Sequence, residues 1–512
     1  MNATPTLTRR QVLRTAGLGI GVAATGLGLN GCSLLPNATS GAALLTSAVP
    51  LPAPYGVPLP IPPRAQPSGQ DAGIDVYDLT ARPAVAEILP GVTTPVWGYD
   101  GSFPGPTIVA ERDRTVLLRL HTELPVPTVL HLHGGATPAE SDGFPTDLLV
   151  PEHWTGQHTH PAGDVAVGTR EYRYPNRQPA ASLWYHDHRM DFTGPQVWRG
   201  LFGSYLVHDP AEDALGLPAG EQDVPLLVCD RAFGADGSLA YPSLDRTLSS
   251  VAGVEEPYAG GVLGDVVLVN GAPWPELEVT ARRYRFRILN ASNARRFRFE
   301  LDPPVAPIVQ IGSDCGLLAE PVAHASLPVS PAERYDVVVD FGGLAAGTTV
   351  ELRNGLGSGP TAQVMRFRVT GPAADDSRVP ATLADVEPLD PARAATARRL
   401  AFARTDGRWT INGAPFDPNR PDATPRLRQL ETWTITSDGD HPVHVHSAPF
   451  QVVDRAGGLA DTDRGWKDTV AVGPAQTVTI ATRFPEYRGR FVAHCHNLEH
   501  EDMMMMATIE VL

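Results

Sequence analysis

Apolar and polar positions alternate with a period of two in short runs along most of the chain. Examples are Thr115-Val116-Leu117-Leu118-Arg119-Leu120, Arg283-Tyr284-Arg285-Phe286-Arg287-Ile288-Leu289, Arg334-Tyr335-Asp336-Val337-Val338-Val339-Asp340, Glu431-Thr432-Trp433-Thr434-Ile435 and Thr477-Val478-Thr479-Ile480. A period of two sends successive side chains to opposite faces, so each run is predicted to be a strand with one buried face. Turn clusters such as Asp100-Gly101-Ser102 and Phe103-Pro104-Gly105-Pro106 separate the runs, with the spacing of a sandwich or barrel. The texture appears in three blocks, 71–212, 222–372 and 395–512, with a Pro/Ala/Asp-rich connector near 373–395. A chain of 512 residues is too long for one core, and the usual domain size of about 150 residues suggests three. The expected fold is all-β, in three domains.

Composition supports this reading: 49 Gly and 50 Pro suit short strands and many turns. The formal net charge of -16 argues against nucleic acid as a partner, because phosphates need a basic face. Thr8-Arg9-Arg10-Gln11-Val12-Leu13-Arg14, followed by the apolar stretch Ala16 to Leu29, fits a twin-arginine export signal at 1–32. Its end, Leu29-Asn30-Gly31-Cys32, resembles a lipobox, which would place the protein at the cell surface or in the periplasm, lipid-anchored to the membrane through Cys32. Residues 33–70 are rich in Pro and Ala and carry one charged residue, Arg64, so they are expected to be a flexible linker, with folding beginning near residue 71. Four cysteines in unlike surroundings make no disulfide framework. Cys229 and Cys315 are expected either to pair or to stand as separate buried thiols.

Histidine makes the sequence specific. Of sixteen, ten fall in four clusters: His131-Leu132-His133, His186-Asp187-His188, His441-Pro442-Val443-His444-Val445-His446, and His494-Cys495-His496 with His500. Two clusters lie in the first block and two in the third, so convergence requires those domains to meet at a seam. On a strand, residues i and i+2 share a face. His131, His133, His186, His188, His444, His446, His494 and His496 would therefore surround one cavity, enough for several metal ions. Odd offsets face away, which puts His441 and Cys495 in a second site that His500 joins if the chain turns back after His496. Two histidines and one thiolate, with Met505 as a weak axial thioether, are the signature of a blue-copper site. A structural zinc site would be self-contained and would not need eight further histidines. The other histidines, His121, His153, His158, His160, His208 and His324, are assigned no metal.

The four clusters resemble, in order, the copper-binding segments of the multicopper oxidases, and the likeness runs from about residue 71 to the end. Trp184-Tyr185-His186-Asp187-His188, Tyr284-Arg285-Phe286-Arg287 with Asn290-Ala291-Ser292-Asn293, and His496-Asn497-Leu498-Glu499-His500-Glu501-Asp502 look most like bacterial spore-coat laccase, with bilirubin oxidase and phenoxazinone synthase as relatives. The resemblance implies three cupredoxin-like Greek-key domains and four copper ions. His131 and His444 would bind the type 2 ion, and His133, His186, His188, His446, His494 and His496 the type 3 pair. His441, Cys495, His500 and Met505 would form the type 1 site. It also implies one-electron oxidation of a small aromatic reductant, phenolic or aminophenolic, coupled to four-electron reduction of dioxygen to water. The alternative is a metal-ion oxidase serving copper resistance; an open apolar cleft near His500 would favour organic substrates, and carboxylates or thioethers there would favour ions. Asp142 and Glu501 match acidic residues near the cluster in the resembling laccases, where they either relay protons or only orient an imidazole.

Overall fold

The computed structural model describes residues 41–71, 73–156, 160 and 163–512; the twin-arginine motif, Cys32 and His158 lie outside them. Strands dominate, and the longest helix among the described residues is Thr193–Arg199. No helix among them is long and apolar enough to cross a membrane.

Three pairs of sheets follow one another along the chain. The first pair joins Thr169–Tyr174, Thr115–Thr122, Ile74–Ala86 and Gly69–Asp71, with Thr94–Tyr99, against Gly105–Glu111, Phe202–His208, Ala181–Asp187 and Leu130–His133. Thr115–Thr122 buries Val116, Leu118 and Leu120 and leaves the alternate positions partly exposed, as its period requires. The second pair is a seven-stranded sheet containing Asp223–Arg231, Arg283–Asn290 and Arg334–Asp340, packed with a five-stranded one containing Gln363–Pro372. The third pairs the sheet of Glu431–Ser437 and Thr477–Thr482 with that of His441–Val445, Gly489–Cys495 and Met506–Val511.

Two expectations are corrected. Residues 41–70 are not a flexible linker, and folded structure begins before residue 71. Ala43–Leu45 pairs in parallel with Val262–Gly264, Pro58 bridges to Glu276 and Arg64 to Thr107, and Leu59 is buried in the middle core. Proline-rich chain leaves few donors of its own, but here its carbonyls and few N–H groups find partners on two domains, and the apolar side chains find a groove. The strand Arg283–Asn290 also lacks a clean polar face. Arg285 is buried against Glu212 and Asp336, and Arg287 holds Asp223 and donates to Ser182 of the first domain at 3.1 Å. The alternation is present, but its charged face is covered by a neighbouring domain and neutralised there. Cys229 and Cys315 are separate buried thiols.

Candidate metal centre

The cavity is built by strand register. In the first domain His186 lies directly across the antiparallel ladder from His131, and Trp184 across from His133. In the third, His444 lies across from His494, and Val443 from Cys495. Residues directly opposite share a face, so His444 and His494 point one way while Cys495 points the other. All eight cluster histidines are buried, and rings from the two terminal domains meet: His131 stacks on His446 at 3.8 Å and His133 on His444 at 3.6 Å. The Nε2 atom of His494 lies 3.2 Å from that of His188 and 3.1 Å from that of His446.

The hydrogen bonds decide which nitrogen is left for a metal. Nδ1 of His131 faces the Asp142 carbonyl at 2.6 Å, Nδ1 of His186 the Asp187 carbonyl at 2.7 Å, and Nδ1 of His444 the Asp468 carbonyl at 2.8 Å. The other nitrogen of each ring, Nε2, is buried and has no partner, and the same holds for Nδ1 of His133 and both nitrogens of His496. Burial first, then neighbouring rings, holds His131, His133, His446 and His496 well below the usual imidazole range. For His444 burial again dominates, while His186 is lowered to about 3 and His188 to about 4. Neutral rings with inward lone pairs, several of them oriented by an outer bond, are what metal ligation requires.

The second site is a triangle. His441 Nδ1 is 3.3 Å from Cys495 Sγ, Cys495 Sγ is 3.6 Å from His500 Nδ1, and the two Nδ1 atoms are 3.2 Å apart. A point about 2 Å from all three atoms satisfies ordinary metal–nitrogen and metal–sulfur lengths, so this set fits an ion in trigonal geometry. Met505 is fully buried in the same apolar cluster as Cys495, and its carbonyl accepts from the Cys495 N–H at 3.1 Å. Met506, by contrast, packs with Phe144, Met190 and Phe416. The Asn497 N–H points at the sulfur from 3.4 Å.

Both carboxylates reach the cluster's outer edge. Asp142 Oδ2 is 2.7 Å from His446 Nδ1, and Asp142 is fully buried, which pushes its carboxyl well up. Glu501 Oε2 is 3.1 Å from His494 Nδ1 and Oε1 is 3.7 Å from His188 Nδ1. Burial opposes its ionisation, but His494 and His188 outweigh that and hold it at about 2.

Several neighbours escaped the sequence reading. Asp468 sits 3.2 Å from His133 Nε2 and is gripped at both oxygens by the buried Arg334, at 2.7 and 2.6 Å. Gly134, at φ +84°, gives this pair its room: a Cβ there would lie 2.5 Å from Arg334 Nη2 and 2.7 Å from Asp468 Oδ2. Trp409 stacks on His500 at 3.7 Å, and the guanidinium of Arg404 lies 5.3 Å above it. Asp468 sits at a bend just before the strand Thr469–Val472, in a stretch without histidine, so pattern alone carried no signal for it. Among the unassigned histidines, His160 pairs with Asp191 at 3.0 Å and His324 with Gln310 at 2.9 Å.

The multicopper oxidase family profile matches residues 80–212 and 389–512, the segments that hold all four clusters. The laccase of Bacillus subtilis (strain 168) is 38% identical, covering 88% of this chain and 97% of its own length. The bilirubin oxidase of Albifimbria verrucaria is 36% identical, covering 88% and 80%. The crystal structure of laccase from Pediococcus acidilactici Pa5930 superposes with a TM-score of 0.80 at 31% identity, covering 92% and 96%. The chain belongs to the multicopper oxidases. Its three domains are cupredoxin-like, and it is a laccase-like copper oxidoreductase with dioxygen as acceptor.

Proposed function

We propose that the protein holds four coppers and oxidises phenolic or aminophenolic small molecules one electron at a time, reducing dioxygen to water. The observation that carries this reading is the His441, Cys495, His500 triangle, joined through the peptide bonds of Cys495 to His494 and His496 in the eight-imidazole cavity. Bound copper would supply one-electron redox chemistry in the triangle and oxygen binding in the cavity. His441, Cys495, His500 and Met505 are the type 1 set, His131 and His444 the type 2 pair, and His133, His186, His188, His446, His494 and His496 the type 3 set. The chain's own part is to orient these groups and exclude water. Trp409, buried between His500 and the Arg404 guanidinium, shields the His500 ring from water. Glu501 and Asp142 stand against ligating rings at the edge of the cavity and are placed to move protons inward.

Metal-ion oxidation is less well supported. Glu499 beside His500 is already engaged by Tyr241, Asn293 and the Val262 N–H, although the half-exposed Asp438 carboxylate, 3.3 Å from His441 Nε2, is a rim group of the kind that reading needs. The proposal extends to export by the twin-arginine route and lipid anchoring at Cys32, checked by mass spectrometry of the mature N-terminus. Oxygen uptake with phenols, aminophenols, bilirubin, Fe(II), Cu(I) and Mn(II) tests the substrate class. Phenols and aminophenols should give the highest turnover, and a clear preference for Cu(I) would overturn the assignment.

A further inference from the structure

One peptide unit, Gly261–Val262, joins three parts of the chain. Its carbonyl accepts from the N–H of Ala43 at 2.9 Å, and its N–H donates to Glu499 Oε2 at 3.0 Å. Glu499 belongs to the short helix Leu498–Asp502 that carries His500. The preceding carbonyl, Gly260, accepts from Asn497 Nδ2 at 3.1 Å and also faces the His500 ring. Segment 258–264 is therefore held on one edge by the N-terminal strap and on the other by the helix bearing a ligand of the thiolate site. Ser47 clasps the strap: its N–H and hydroxyl both donate to Asp265, at 2.8 and 2.5 Å, while its oxygen accepts from the Phe233 N–H at 3.1 Å.

Side chains repeat the arrangement. Leu45 of the strap and Met503, just beyond the helix, pack into one apolar cluster with Tyr241, Val254, Tyr258 and Val262. At Gly261, φ +131°, a Cβ would meet Ala42 Cβ and Asn497 Nδ2 at 3.1 Å each and Ala294 Cβ at 2.7 Å, so strap, loop and third domain converge within one side chain's reach. Because a peptide is planar, its carbonyl and N–H turn together. Releasing the Ala43 bond frees rotation that loosens the Glu499 bond, and bonds linked through one peptide also polarise each other.

We infer that residues 42–48 are a positioning strap for the type 1 site: through Gly261–Val262 they fix the helix that sets the His500 ring, so the strap governs how readily the site takes an electron. This rests on the type 1 reading above. Among the described residues only Ala43 donates to the Gly261 carbonyl, and residues 42–48 make no hydrogen bond to the eight-imidazole cavity, so loss of the strap should act on electron entry and leave the oxygen step alone.

The test uses the full chain with Ala43→Pro, which removes the N–H donor and fixes φ at that residue, and Ser47→Ala, which opens the clasp. Ser68→Ala, outside the strap and bonded to Val76 and Asp78, is the control. In both strap variants, hydrogen exchange at Val262 and across Asn497–Met503 of the copper-free chain should rise by about tenfold, the scale expected for losing one coupled hydrogen bond. The copper-loaded variants should show a shifted blue band, a changed type 1 potential and a changed KM for the reductant, with copper content and dioxygen reoxidation rate unaltered. Wild-type exchange and potential in both strap variants would overturn the inference, as would equal effects from Ser68→Ala. A wild-type protein that binds copper without a blue band would overturn the type 1 reading instead, and the exchange data would still decide whether strap and helix are coupled.

Discussion

Arg334 comes from the middle domain, which carries none of the clustered histidines, yet it controls a wall of the imidazole cavity. Its guanidinium grips both oxygens of Asp468 and donates to the carbonyls of Ser182 at 3.0 Å, Ala332 at 3.1 Å and Asp314 at 2.9 Å. One side chain thus ties all three domains together. Arg334→Met removes five donated bonds and leaves Asp468 as a buried anion with no cation against it. Breaking a buried pair in this way costs about 3–5 kcal/mol. In Arg334→Met/Asp468→Asn the stranded charge is gone, so the two changes should couple by about 1–3 kcal/mol in the favourable direction. Urea unfolding of the copper-free proteins, followed by tryptophan fluorescence, measures both numbers. Since Asp468 also accepts from His444 and lies against His133, the single variant should in addition lose type 2 copper by electron paramagnetic resonance. If Arg334→Met unfolds within about 0.5 kcal/mol of the wild type, Asp468 is not a stranded charge and the reasoning fails.

Other expectations concern the sites themselves. Cys495→Ser should be colourless and inactive while copper still binds at the imidazole cavity; an intense visible band in that variant would show that the thiolate lies elsewhere. Met505→Leu should raise the type 1 potential, because a thioether stabilises the oxidised ion, and a shift found in Met506→Leu instead would move the axial role by one residue. Glu501→Gln should leave reduction of the blue copper by substrate at its wild-type rate in stopped flow and slow reoxidation by dioxygen about 10²–10⁴-fold. Loss of copper without a specific oxygen-step defect would leave Glu501 as a positioning group for His494.

Much of the site was legible because strand periodicity is a geometric rule. The His-x-His spacing dictates which rings share a face, and the odd offset of Cys495 dictates that it faces away; the ladder of His444 against His494 and Val443 against Cys495 follows. The helix Leu498–Asp502 supplies the turn that brings His500 back to the thiolate. What escaped were contacts between elements distant in sequence. Nothing local distinguishes Arg334 from the arginines of Arg283–Asn290, and its partner Asp468 is 134 residues away. The strap was misread for a related reason: Pro- and Ala-rich chain looks like a spacer until another surface supplies the hydrogen-bond partners that its own sequence lacks.

The meeting of His446 with Asp142 spans 304 residues of chain, and this separation sets an order of events during synthesis. At about 5–20 residues per second, the third domain emerges about 15–60 s after the first. Throughout that interval His131, His133, His186 and His188 form only half a cage, and no stacked partner from the third domain shields them. The full cavity exists only once the last domain has docked, so cluster loading is the final step of maturation and depends on a finished polypeptide. A chain truncated between the first domain and His494 would never acquire the oxygen-reducing centre.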